Sequence, residues 1–115
     1  MVNKRRTPRS AFLALAKVFD METRSNIGYV GDVSTGGIML FANRAFKREE
    51  RRLLSINLPH PRKGEVTIQL GVRIAWQMIK TEQSGQPLIG CQILALGPKD
   101  RVVLLQAAKA YGLAA

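Results

Sequence analysis

The chain has few of the residues that carry chemistry. One cysteine and one histidine occur in 115 residues. A lone cysteine excludes an internal disulfide and fits a reducing compartment, the cytoplasm. With few carboxylates outside the expected loops, there is no nucleophile–base pair and no metal-ligand spacing. Neither an enzyme nor a metal or cofactor site is therefore expected. Aromatics make up only 6% of the chain and are scattered, unlike the stacking faces of barrels that bind single-stranded nucleic acid. Acidic residues number 8 against 18 lysines and arginines, for a net charge of +10. No apolar run approaches the ~20 residues of a membrane helix. Lys17 and Asp20 interrupt the apolar segment after the basic N-terminus, so a signal peptide is not expected either.

What remains is the composition of one globular domain over residues 1–115, without repeats or internal linkers. Hydrophobic residues reach 46%, and mean hydropathy is −0.04, which suits a packed core. The positive charge favours a polyanionic partner. It is also concentrated: Lys4, Arg5, Arg6 and Arg9 form one cluster, and Arg44, Lys47, Arg48, Arg51 and Arg52 another. Clustering points to local binding rather than a uniform coat.

Residues 1–9 read as a basic, semi-extended arm, because Pro8 disfavours helix at Thr7. Strands are expected over 11–20, 27–32, 37–42, 53–58, 66–78 and 88–96, from β-branched content and period-two alternation. The charged segment 43–52 reads as a loop or a single helical turn anchored by Phe46. His60, between Pro59 and Pro61, reads as a solvated turn residue. Alternation is strictest over 66–78: Val66, Ile68, Leu70, Val72, Ile74, Trp76 and Met78 share one face. That parity puts Trp76 in the core, although its place near the strand end also lets it stack on a ligand. Gly71 marks a bend or bulge. Cys91 reads as a small buried hydrophobe. Pro98 and Asp100 start a helix over 98–111, with Val102, Val103, Leu105, Ala108 and Tyr111 as its apolar face.

The expected fold is all-β with a C-terminal helix: a six-stranded antiparallel β-barrel over 10–96, flanked by the helix, which covers an opening. One turn stands out within it. Asp32-Val33-Ser34-Thr35-Gly36-Gly37 joins two apolar strands with turn chemistry. Its glycines let a ligand approach, and its backbone N–H groups can form an anion-binding concavity. Taken alone, the stretch is equally an ordinary hairpin turn.

With the arm, the pattern becomes more specific. Arg5-Arg6-Thr7-Pro8-Arg9 resembles the RxxxR motif of the PilZ family, through Arg5 and Arg9. Asp32, Ser34 and Gly37 match that family's [D/N]xSxxG motif, and the spacing between the two agrees. Val72-Arg73-Ile74-Ala75-Trp76 resembles the family's strand ending in V-x-W. Ile89-Gly90-Cys91-Gln92-Ile93 resembles its G-x-x-F pattern, with Ile93 in place of the aromatic. The resemblance implies a six-stranded barrel that acts as a bacterial receptor for the second messenger cyclic di-GMP, without catalytic activity. The implied ligand contacts are Arg5, Arg9, Asp32, Ser34, Gly36 and Gly37, with Lys4, Arg6 and Trp76 as secondary contacts.

The chemistry agrees. An arginine fork matches the O6/N7 edge of guanine, and phosphates take charge-assisted donors. Arg5 and Arg9 would take phosphate and guanine. Asp32 would take the N1–H/N2–H₂ edge of guanine or orient an arginine. Output would then be a change of shape or surface read by a downstream protein. Two other readings compete: a non-specific single-stranded nucleic-acid-binding barrel, which the sparse aromatics disfavour, and a PilZ-like interaction module that binds no nucleotide.

Overall fold

The computed structural model describes residues 16–34, 36–60, 62–79 and 86–110. The basic arm and residues 11–15 of the first expected strand lie outside them. The described elements are β1 (Lys17–Asp20), β2 (Asn26–Val33), β3 (Gly37–Ala42), β4 (Arg51–His60), β5 (Gly64–Ile79), β6 (Pro87–Leu96) and a helix, α1 (Pro98–Ala110). The six strands form a closed barrel in the order β1-β2-β3-β6-β5-β4, and every neighbouring pair is antiparallel. Closure satisfies the backbone of every strand and leaves no open sheet edge.

The alternating apolar positions point inward. Val18, Val30, Leu40, Leu54, Ile56, Leu58, Ile68 and Ile89 are each 1% exposed or less. Each such side chain contributes about 1.5–3 kcal/mol relative to an exposed one. Cys91 lies among them, and burial pushes its thiol up to about 12. The helix packs on β5, β4 and β2 and adds Leu104, Ala107 and Ala108 to this core. Its first turn is held by the Asp100 carboxylate, which accepts the Gln69 N–H at 3.0 Å. The buried face agrees with the expected one at Ala108 and, in part, at Val103, but not at Val102 and Leu105, which are 54% and 46% exposed; Tyr111 lies outside the described residues. The helix carries apolar residues on two stripes, and the barrel takes the one centred on Leu104.

Among the described residues, four register shifts interrupt the ladders. Ile27 is the extra residue opposite β1, between the pairs Val18↔Gly28 and Phe19↔Asn26. Gly31 is extra opposite β3, between Val30↔Leu40 and Asp32↔Met39. Leu94 is extra opposite Gly71 and Val72, and Ala75 is extra opposite Cys91 and Gly90. The irregularity expected at Gly71 is therefore present, with the extra residue on the partner strand. Each bulge bends its strand and tightens the local twist.

The segment between β3 and β4 contains no helix. It is fixed by Phe46, which is buried, and by Gln77: the Phe46 N–H donates to Gln77 Oε1 at 3.1 Å, and Gln77 Nε2 donates to the Phe46 carbonyl. The Arg44 guanidinium lies 3.9 Å from the centroid of the Phe46 ring. Arg52 clamps the base of the segment. It donates from Nη1 to Asp20 Oδ2 at 2.9 Å and from Nε to Glu50 Oε2 at 2.7 Å. Asp20 is fully buried, and its other oxygen accepts the Glu22 and Thr23 N–H groups at 2.8 and 3.2 Å. At the far turn, His60 Nδ1 accepts the N–H groups of Arg62 and Lys63, both at 3.1 Å.

The Lys47 N–H, and then Arg52, hold the Glu50 carboxyl below the usual carboxylate range. A carboxylate depressed in the folded state stabilises it above the unfolded pKa and stops doing so as pH falls through the folded value. Stability to urea is therefore expected to fall on acidification below the ordinary glutamate range. Glu50→Gln should flatten that acid limb. An acid limb of equal slope in the variant would show that Glu50 does not contribute to it.

Candidate functional site

The turn between β2 and β3 is built by the strands it joins. Val33 pairs with Ile38, and the Ser34 N–H donates to the Gly37 carbonyl at 2.9 Å. The Ser34 hydroxyl reaches the same carbonyl at 3.4 Å. The turn is also tied sideways, because the Ile93 N–H of β6 donates to the Gly36 carbonyl at 3.0 Å. The two glycines differ in role. A Cβ on Gly37 would lie 2.9 Å from the Cys91 carbonyl, so β6 requires that glycine. A Cβ on Gly36 would meet nothing within 4 Å, which leaves its surface open to an incoming group.

Asp32 reaches the outer wall through the Gly31 bulge. Val30 and Val33 are both buried, with two residues between them instead of one. Gly31 and Asp32 therefore both face outward, as the two residues of a bulge do. Were Gly31 paired in strict alternation instead of bulged, Asp32 would share the parity of Val30 and point into the core. The space over Gly31 is filled: a Cβ there would lie 2.7 Å from Met39 Cε and 2.9 Å from the Phe41 ring.

Trp76 reaches the same wall by the same device. The Ala75 bulge reverses the parity of β5, so Gln77 takes the core side opposite Ile89, and Trp76 is 44% exposed. This corrects the expectation of a buried Trp76. Strict alternation holds only as far as Ile74, and Met78 is exposed as well. The indole lies flat on Gly90, where a Cβ would be 2.1 Å from Cε2.

The register then joins these positions into two rows across four strands. One row runs Asp32–Met39–Gly90–Trp76, and the next runs Gly37–Gln92–Arg73. Ser34 continues the β2 edge of the second row. Arg73 donates from Nε to Gln92 Oε1 at 2.8 Å and from Nη1 to Glu49 Oε1 at 2.7 Å. Strand spacing puts Trp76 about 14 Å from Asp32 along the wall. The wall thus offers a carboxylate, a hydroxyl, an open glycine, a guanidinium and an indole on one surface. Sequence patterning did not identify Gln92 or Arg73. The signal was the two-residue offset of Gln92 from Gly90 and the outward parity of Arg73 between the core residues Val72 and Ile74, legible only once the register is known.

Of the expected site residues, Asp32, Ser34, Gly36 and Gly37 stand together on the turn, and Trp76 shares their wall. Lys4, Arg5, Arg6 and Arg9 lie outside the described residues. The chain enters the described region at Ala16, whose carbonyl accepts the Val30 N–H at 3.1 Å. Another concavity, of about 620 Å³, is lined by Met21, Leu53, Gly71, Leu94 and Ala95 among others and includes no residue of the turn. Among the described residues, no group of three or more histidine, cysteine or acidic side chains could hold a metal ion. No described helix is long and apolar enough to cross a membrane.

A closed six-stranded antiparallel barrel with one terminal helix, carrying its polar turn on the outer wall, defines a class of small β-barrel modules. The PilZ domain family model matches residues 3–109, and the chain belongs to that family. PilZ domains are non-enzymatic receptor and adaptor modules associated with cyclic di-GMP. Among solved structures, the chain is similar to the Bacillus subtilis inhibitor of motility, MotI/DgrA, at a TM-score of 0.68 and 21% identity. The similarity covers 88% of this chain and 48% of that one, so this chain spans about half the length of that protein. No curated protein matches the chain.

The fit of Trp76 on Gly90 is directly testable, because the chain has a single tryptophan. Gly90→Ala should push the indole off the wall and shift its emission to longer wavelength. The urea midpoint should move by no more than about 2 kcal/mol in stability, because an exposed ring can swing aside. Unchanged emission would mean that the ring does not rest on Gly90.

Proposed function

We propose that this chain is a bacterial cyclic di-GMP receptor that signals occupancy to a partner protein from the cytoplasm. The observation that carries this reading is the outward presentation of Asp32, beside Ser34 and the open Gly36, on a wall next to the point where the arm enters. Ala16 is bonded to Val30, two positions before Asp32, and Arg9 lies seven residues upstream of Ala16. Seven extended residues span at most about 25 Å, which is ample for Arg5 and Arg9 to reach the turn.

In this reading the arm and turn close on the ligand from two sides. Arg5 and Arg9 supply forked, permanently charged donors to phosphate and to the O6/N7 edge of guanine. Asp32 accepts from guanine N1–H and N2–H₂ or orients an arginine. Ser34 and the backbone at Gly36 and Gly37 complete the cradle. Lys4 and Arg6 add charge, and Trp76 offers a stacking face. The arm carries four lysines and arginines within residues 4–9, and the two ligand phosphates would relieve their mutual repulsion. Ordering of the arm over the turn is then the change that a partner reads.

Calorimetric titration with cyclic di-GMP tests this reading. Arg5→Ala, Arg9→Ala and Asp32→Ala should each weaken binding about tenfold to a hundredfold, the equivalent of one bidentate contact. The fold should survive, because all three are charged residues outside the alternating apolar pattern of the sequence. Cyclic di-AMP should bind far more weakly, since adenine presents an amino donor in place of O6 and lacks N1–H. Equal affinity for both dinucleotides would mean that phosphate charge alone drives binding. Tighter binding of single-stranded DNA would favour the nucleic-acid reading. An absence of any nucleotide binding would leave an interaction module.

A further inference from the structure

The segment between β3 and β4 contains two acidic residues, and both are committed inside the molecule. Glu50 is held by Arg52, at the base of the segment. Glu49 is held by Arg73, at 2.7 Å. Among the described residues neither forms a close ion pair with the segment's other cations, and Arg44, Lys47 and Arg48 stand exposed, although Arg44 is near enough to Glu50 to act on its charge.

Glu49 has a second unusual property. Its φ is 71°, a left-handed backbone conformation that costs free energy for any residue with a Cβ. Such a conformation persists only when its surroundings impose it. Here the Glu49 N–H donates to the Ile74 carbonyl at 2.8 Å, and the Ile74 N–H donates to the Glu50 carbonyl at 2.8 Å. The Glu49–Arg73 ion pair closes the same joint from the side chains. The segment is therefore fastened to β5 at residues 73 and 74.

Arg73 is also a member of the outer row that begins at Gly37 of the turn. It lies two strand spacings away, about 10 Å between Cα atoms, with Gln92 between them. Its guanidinium is only part-buried, and it is bonded on one side to Gln92 and on the other to Glu49. A carboxylate and a phosphate compete for the same fork.

We propose that Arg73 is a further ligand-contacting arginine of the cyclic di-GMP site, and that Glu49 is the internal anion that holds it until ligand arrives. The proposal rests on the receptor reading above. On binding, the Arg73 fork exchanges the Glu49 carboxylate for a ligand phosphate or a guanine O6/N7 edge. Glu49 then loses the contact that offsets its backbone strain, and the joint at Ile74 loosens. The basic segment carrying Arg44, Lys47 and Arg48 changes its presentation to a partner. Occupancy of the wall is thereby linked to the second cluster of positive charge.

Titrations with cyclic di-GMP on the intact chain separate the possibilities. Arg73→Ala should bind about tenfold more weakly, as for a lost charge-assisted fork, and Arg73→Lys should fall between. Glu49→Gln should bind several-fold more tightly, because the competing anion is gone. The double variant should bind no better than Arg73→Ala. Amide exchange at Glu49 should accelerate when ligand is added to the unaltered chain. Urea midpoints identify any variant that has lost its fold, in which case Arg73→Lys and Glu49→Gln carry the test. If Arg73→Ala binds normally while Asp32→Ala is weakened, the Arg73 proposal fails and the receptor reading stands. If Glu49→Gln binds more weakly, Glu49 positions Arg73 rather than restraining it, and the competition is overturned. If the unaltered chain does not bind, both readings fall.

Discussion

Six strands close into a barrel only if each bends and twists hard over a short length, and this chain meets that demand with bulges. The outward placement of Asp32 and Trp76 depends on where those bulges fall. A flat six-stranded sheet of the same sequence would keep strict alternation, with Trp76 on the side of Ile74 and Asp32 on the side of Val30. The insertions at Gly31 and Ala75 reverse both parities. The geometry that closes the core is thus also the geometry that furnishes the outer wall.

The interior explains why chemistry has to sit outside. A barrel of this size is filled by its own side chains, here mostly leucine, isoleucine and valine at 1% exposure or less. The remaining surface for recognition is the wall and the turns that rise from it. Glycine fixes how closely groups can lie on that wall: Gly37 lets β3 approach β6, and Gly90 lets an indole lie flat. The ionic contacts are equally local. Arg52 joins the two connections at one end of the barrel, whereas Arg73 joins a connection to the wall.

Much of this was legible in the sequence. The strands over 27–32, 37–42, 53–58, 66–78 and 88–96 are present, most extended by a residue or more, because alternation and turn residues agree there. The inward face of β6, with Ile89, Cys91 and Ile93, follows directly from period two. The differences within the strands share one cause. Alternation identifies a face only up to the next bulge, and Ala75 gives no compositional sign that it is one, so period two alone places Trp76 and Met78 in the core. The helix misled differently, since its apolar residues permit two stripes and only the barrel mouth selects Leu104 over Leu105. At the turn, the residue types were legible, but the outward aim of Asp32 was not. It depends on Gly31, which in sequence looks like an ordinary strand glycine. Arg73 was hidden because its neighbours lie on other strands.

Cys91 gives the molecule a practical property. Its thiol is walled in by the barrel, and burial pushes it up to about 12, so very little thiolate is present at neutral pH. Alkylating reagents and metal ions therefore find almost no nucleophile in the folded protein. A cysteine introduced on the surface would be the single reactive position, against a silent native background. Conversely, reaction at Cys91 itself would report not exposure of a patch but opening of the barrel.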